Sequence, residues 1–229
     1  MLAPARMTAD TLPTVELETG TSPVYSVIWM HGLGADGNDF VPVVGEFGLQ
    51  GAPVRFVFPH APMRPVTING GYVMRAWYDI TYEDLSLKED EKGVRESQAA
   101  VQTLIAREAA RGVKPEHVVL AGFSQGGAIA LQTGLRHAQR LAGILALSTY
   151  LPLPDKVEQE RNAANRDVPV LMAHGSEDPI VPLKLAQASC SRLLTLGYPV
   201  EWHEYEMPHT ICEEEIEEIG RWLRRIVGR

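Results

Sequence analysis

Val118-Val119-Leu120-Ala121 runs straight into Gly122-Phe123-Ser124-Gln125-Gly126, and Gly127 to His137 then takes helical periodicity. Few patterns leave a chain so little freedom. A serine on a sharp strand-to-helix turn must adopt a strained backbone conformation, and a Cβ on either flanking glycine would crowd the adjoining strand or helix. The turn lifts the hydroxyl above the carboxyl edge of a sheet, where the next helix aims its free N–H groups and positive dipole end. A glycine-rich turn with an incidental serine is the plainer reading. The strand and helix on either side favour the functional one.

Strands and helices alternate around this unit. Val15 to Glu18 and Val24 to Met30 read as an edge strand turning back into a more buried one, and the second ends in His31-Gly-Leu-Gly-Ala-Asp-Gly-Asn-Asp39. An Asn or Asp of that loop is expected to cap a helix through Phe40, Val41, Val44 and Phe47. Val54 to Phe58 is a short apolar strand. Residues 59–92 are dense in Pro, Gly and aromatics, with a weak strand near Trp77-Tyr78. So irregular a stretch inside a compact chain suggests cover for a binding site. A helix over Gly93–Arg111 follows, its core stripe formed by Val94, Ala100, Val101, Leu104, Ile105 and Ala109. Strands over Leu141–Leu147, Val168–Ala173 and Val200–Glu206 and helices over Leu183–Leu196 and from Glu213 complete the order. The last helix has Glu213-Glu214-Glu215 in its first turns and Arg221, Arg224 and Arg225 in its last, a charge order explained by the helix dipole. Strands apolar on both faces mean a mostly parallel α/β sheet in a single domain over 1–229, with residues 1–13 a frayed tail.

Composition narrows the function. A formal net charge of -8 argues against a nucleic-acid partner. No apolar run is long enough to insert stably in a membrane, and the start lacks the apolar stretch of a secretory signal. The expected location is cytoplasmic. Cys190 and Cys212 then read as reduced thiols with no metal-ligand spacing, a disulfide being the minor alternative.

A serine hydroxyl needs a base to take its proton, and the base needs an orienting carboxylate. Useful groups lie just past the carboxyl ends of parallel strands. Asp178 follows one strand directly, whereas Asp167 precedes it and Asp155 is carried off by a proline-rich loop. Glu177 is the nearest rival and reads better as a solvated loop carboxylate. His209 follows the last strand. His31, His60 and His174 also end strands at this edge, but each precedes a loop glycine or alanine–proline turn and is expected to hold that loop. His203, His137 and His117 are elsewhere. The order Ser124, Asp178, His209 is that of α/β-hydrolases. The backbone N–H of Gln125 and one from the early glycine loop, best Leu33, would serve a tetrahedral oxyanion. No phosphate-loop spacing is present.

His31-Gly-Leu-Gly-Ala-Asp-Gly-Asn-Asp39, Phe58-Pro-His-Ala-Pro62, Ala76-Trp-Tyr-Asp79, Gly122-Phe-Ser-Gln-Gly-Gly127 and His174-Gly-Ser-Glu-Asp-Pro179 together resemble the phospholipase/carboxylesterase family. The resemblance implies a compact α/β-hydrolase without a large cap, acting on carboxylic esters and thioesters with no metal or cofactor. It assigns Ser124 as nucleophile, His209 as base, Asp178 as its orienter, and the Leu33 and Gln125 amides as oxyanion hole. It also implies that Trp77, Tyr150 and the stretch Met63 to Val73 line or cover an acyl groove, with core packing the plainer role for Trp77 and Tyr150. The eukaryotic thioesterases of the family carry Trp at the Tyr150 position, and Tyr narrows the apolar area there. The expectation is a serine carboxylesterase for short- to medium-chain esters, a monomer or weak homodimer whose partner is a small acyl substrate. A long-chain acyl-protein thioesterase or lysophospholipase is the alternative. A non-catalytic binding protein on the same scaffold would be expected to have lost a member of the Ser–His–Asp set, and all three are present.

Overall fold

The computed structural model describes residues 11–81 and 89–228. Seven strands form one sheet in the order β1 (Thr14–Glu18), β3 (Val54–Pro59), β2 (Tyr25–Met30), β6 (Val118–Phe123), β7 (Gly143–Leu147), β8 (Val170–Gly175), β9 (Val200–Tyr205). Only the β1–β3 pair is antiparallel. The expected turn-back of β1 onto β2 therefore does not occur, because β3 lies between them. The last three residues of the expected tail, 1–13, are not all loose either: Leu12 packs against the core, and the Pro13 carbonyl accepts the His60 amide at 2.9 Å. Residues 1–10 of that tail lie outside the described residues.

Alternation along the strands sorts the core into two layers. Ile28 and Met30 face one side with Leu120, Ile144 and Val170, and there they meet α1 (Glu91–Ala110) and α2 (Gln125–Arg136). Val27 and Trp29 face the other with Val119, Leu145 and Leu171, packed against Phe47 and the apolar side of α5 (Glu213–Val227), which follows α3 (Val157–Glu160) and α4 (Leu183–Thr195) in the chain. The α5 face is Ile216, Ile219, Trp222, Leu223 and Ile226, an i, i+3, i+4 spacing. Burying strands on both faces removes apolar surface worth about 25 cal/mol per Å² and pins their register. That register sets which residues reach the carboxyl edge.

Four local expectations change. The segment Val41–Phe47 is a 3-10 helix with Pro42 in its first turn, and no Asn or Asp side chain caps it. Asp36 instead accepts the Asn38 amide, a tight Asx turn inside the loop. Trp77 and Tyr78 lie in no strand. The strands of that region are β4 (Met63–Val66) and β5 (Tyr72–Arg75), a hairpin turned by Asn69, Gly70 and Gly71 with φ of 66° and 79° at the glycines. In α1, Ala109 is exposed and its neighbour Glu108 is buried, held by Ser26, Arg55 and Arg111 at 2.9–3.1 Å. The part of the irregular stretch at 82–88 lies outside the described residues.

Candidate active site

Ser124 joins β6 to α2 with φ 55° and ψ −122°, a conformation L residues seldom adopt. Backbone bonds hold it there: its N–H donates to Leu147 O at 2.9 Å, and its own carbonyl accepts from Thr149 Oγ1 at 2.7 Å. The flanking glycines are required by contact. A Cβ on Gly122 would lie 2.2 Å from the Gly126 carbonyl carbon, and one on Gly126 would lie 2.1 Å from the Met30 carbonyl oxygen. The first would push α2 off β6, the second would push it off β2.

Two loops from neighbouring strand ends meet beside this turn. Asp178 follows β8 and its side chain is fully buried. Its Oδ1 accepts the Ile180 and Val181 amides at 2.8 and 2.9 Å, and its Oδ2 accepts from His209 Nδ1 at 2.6 Å. Burial alone would raise this carboxyl. The bonds from His209, Val181 and Ile180 outweigh it and hold the pKa below its ordinary value. His209 follows β9, and its ring lies 4.7 Å from that of Phe123, the residue before Ser124. The Glu177 amide donates to Met207 O, tying the two loops together. Among the described residues the Ser124 hydroxyl makes no hydrogen bond. Contacts between a nucleophile and its base commonly tighten only when substrate binds.

A cavity of about 360 Å³ opens at Ser124 and is lined by Leu33, Gln125, Ile68, Tyr78, Tyr150 and Val181 among others. The backbone N–H groups of Leu33 and Gln125 find no acceptor among the described residues. Two free amides beside a hydroxyl and a carboxylate-bound imidazole suit acyl transfer. The groups suggested for the acyl groove separate. Tyr150 lines the cavity, its hydroxyl 2.9 Å from that of Tyr78. Trp77 is wholly buried and does not line it, and Met63 stands exposed on the hairpin outside the lining. Tyr78, Ile80 and Ile180 belong to the wall and were not singled out from sequence. Tyr78 shares a motif with Trp77, which is the signal that was available.

Trp77 is instead a hydrogen-bonding centre. Its amide donates to Gln125 Oε1 at 3.0 Å, its indole N–H donates to His31 O at 2.8 Å, and Gln125 Nε2 donates to Tyr78 O at 2.9 Å. The remaining strand-end histidines hold loops as expected. His60 Nδ1 accepts the Gly37 amide, and His174 Nε2 donates to Val181 O. Glu177 is exposed, and Asp167 pairs with Arg140 at the opposite edge. Both cysteines are free thiols. Among the described residues one group could hold a metal ion, Glu201, His203 and Glu218, but Arg225 and Arg221 already pair with its carboxylates. Glu215 departs from the dipole explanation given to its run. It is buried with neither carboxyl oxygen hydrogen-bonded, and burial raises its pKa to about 8.

Residues 15–227 match the family model described as Phospholipase/Carboxylesterase. The chain belongs to the phospholipase/carboxylesterase family. Within the family it is 39% identical over 210 residues to acyl-protein thioesterase 1 of Gibberella zeae, covering 87% of this chain and 89% of that one. The crystal structure of Arabidopsis thaliana SOBER1 superposes with a TM-score of 0.83 at 32% identity, covering 89% of this chain and 99% of that one. Acyl-protein thioesterase 2 of Zea mays gives 0.82 at 26% identity, covering 94% and 99%. The fold is that of an α/β-hydrolase with no separate cap, and family membership makes this protein a serine hydrolase. No helix among the described residues is long and apolar enough to cross a membrane.

Proposed function

We propose that the protein hydrolyses short- to medium-chain carboxylic esters and thioesters through an acyl-enzyme on Ser124. The observation that carries this reading is the 2.6 Å Asp178–His209 pair lying beside a strained serine at the mouth of one cavity. Asp178, ionised because its pKa is held low, accepts the proton on His209 Nδ1 and so leaves Nε2 to act as the base. Nε2 takes the Ser124 proton as the oxygen attacks the acyl carbonyl. The negative oxygen of the tetrahedral adduct accepts from the Leu33 and Gln125 amides. The adduct collapses as His209 protonates the departing alcohol or thiol, and water, deprotonated by the same ring, then releases the acid.

The cavity supports a limit on chain length. Ile68, Ile80, Ile180 and Val181 give it apolar walls, and Tyr78 and Tyr150, joined hydroxyl to hydroxyl at 2.9 Å, complete the lining. Burial raises the pKa of both tyrosines, so the pair is neutral at ordinary pH. A lining held by that buried pair leaves about 360 Å³, a space that suits a short or medium chain. A second reading, a thioesterase for long-chain acyl proteins, is favoured by the names of the relatives and by exposed apolar Tyr72, Val73 and Ile180. Turnover of p-nitrophenyl esters from acetate to palmitate separates the two. The short-chain reading expects a maximum at short to medium chains and a steep fall to palmitate; a maximum at palmitate favours the second. Ser124→Ala and His209→Ala should each abolish turnover with the fold intact.

A further inference from the structure

We propose that His31, braced by Trp77, is a positioning residue of the reaction, orienting the peptide unit that carries the Leu33 N–H. The inference rests on the reading of that N–H as an oxyanion donor. The Gly32 carbonyl and the Leu33 amide belong to one peptide unit. In a planar trans peptide C=O and N–H point in opposite directions, so whatever holds the carbonyl aims the amide. His31 Nδ1 lies 2.7 Å from Gly32 O. Its Nε2 lies 3.0 Å from the Ala61 amide, which has only a proton to offer. Nε2 is therefore the acceptor and Nδ1 carries the hydrogen donated to Gly32. The ring is buried, and burial holds its pKa down to about 4, so it keeps this neutral tautomer at ordinary pH. A donor on the carbonyl also polarises the peptide and strengthens the N–H on its other side.

The preceding peptide is held as well. The Trp77 indole donates to His31 O at 2.8 Å, and the Trp77 amide is bound by the Gln125 side chain at 3.0 Å. Gln125 is the first residue of α2 and supplies the second free amide. A single buried path thus runs from one amide to the other: Gln125 carboxamide, Trp77 main chain, Trp77 indole, His31 carbonyl, Leu33. The two donors follow β2 and β6, neighbours in the ladder with Met30 opposite Gly122, and beyond the ladder the indole braces the first segment against the second. This gives Trp77, closed off from the cavity, a part in the reaction that needs no contact with substrate.

The test separates donor geometry from plain stability. Gly32 O also accepts the Ala35 amide, but at a longer 3.3 Å. In His31→Asn the side-chain amide can occupy the place of Nδ1–H, whereas His31→Gln reaches toward the Nε2 position and leaves Gly32 O with only that longer bond. Turnover of a short p-nitrophenyl ester is measured per active site titrated with a fluorophosphonate. His31→Gln should lose about 10- to 100-fold in kcat with KM within about 3-fold, since a misplaced donor acts on the transition state. His31→Asn should recover most of it, and the inhibition constant of an alkyl boronic acid, whose tetrahedral adduct presents an oxygen to the amides, should weaken in parallel with kcat. Equal kcat in the Asn and Gln variants, or in Gln and parent, overturns the proposal. If His31→Gln does not fold, Trp77→Phe is read the same way, and a kcat per titrated site equal to the parent's overturns it. A parent that neither turns over nor labels at Ser124 would sink the oxyanion reading itself, and this inference with it.

Discussion

The two walls of the cavity are held by different means. Ser124, Asp178 and His209 stand at the ends of β6, β8 and β9, three strands of one parallel sheet, and the ladder fixes their spacing. The facing wall, Ile68 to Ile80, belongs to no strand of that sheet. Its backbone bonds are few, the β4–β5 pairing, Ile68 to Ile80 and Gly34 to Arg75, and its ties to the rest of the site run through side chains: Gln125 to Trp77 and Tyr78, Trp77 to His31, Thr67 to Asp79. A backbone ladder tolerates changes of side chain. A wall pinned by buried carboxamide, indole and imidazole groups does not, because losing one partner strands the other.

Substitutions should therefore fall into two patterns. On the ladder wall they remove chemistry and leave geometry. Asp178→Asn keeps the size of the side chain but lets His209 adopt the wrong tautomer, and kcat should fall by about 10⁴-fold with little change in KM. A fall of under about 10-fold would mean that the carboxylate is not the orienter.

Behind the same wall, Glu215 sits buried in the first turn of α5. Its folded pKa of about 8 exceeds the ordinary 4.5, so the folded state binds the extra proton between those values. Stability from that proton is complete below about pH 4.5 and is lost as pH rises through 8. Glu215→Gln should thus raise the urea-unfolding free energy at pH 9 by a few kcal/mol, the gain shrinking toward pH 5. A gain that does not vary with pH would contradict the burial argument.

On the pinned wall the sign reverses. The folded pKa of His31, about 4, is below the ordinary 6.5, so the unfolded chain takes up the proton first as pH falls. Stability present above pH 6.5 declines toward pH 4. Relative to His31→Gln, the parent should lose about 3 kcal/mol across that window. Parallel curves for the two proteins would place His31 in solvent. The smallest effect is expected at Tyr150→Phe, which removes one hydroxyl of the cavity pair. Short esters should turn over within about 3-fold of the parent, while the stranded Tyr78 hydroxyl costs about 1–3 kcal/mol of stability. Unchanged stability would mean that the two hydroxyls do not depend on one another.

The same division governs what the sequence discloses. That Ser124, Asp178 and His209 lie along one edge was legible because strand periodicity locates strand ends, and parallel strand ends share an edge. The glycines at 122 and 126 were legible because their clashes are with the elements they join. The facing wall was not. Its hairpin is announced only by Asn69-Gly70-Gly71 between two short segments, one of them interrupted by Pro65, and that signal was lost among neighbouring turn formers. Trp77 stays between the acyl-groove role that the resemblance implies and plain core packing, because an aromatic in an irregular stretch says nothing of where its N–H points. The burial of Glu108 and Glu215 was likewise hidden, since a helical stripe forecasts the apolar face and passes over a carboxylate lodged in it.

The most direct test is the crystal structure of the enzyme after reaction with an alkyl fluorophosphonate. The account predicts phosphorus bonded to Ser124 Oγ, its phosphoryl oxygen about 2.7–3.1 Å from the nitrogens of both Leu33 and Gln125, and its alkyl group between Ile68, Ile180 and Tyr150. A phosphoryl oxygen turned away from both amides, or an adduct on any other residue, would contradict it.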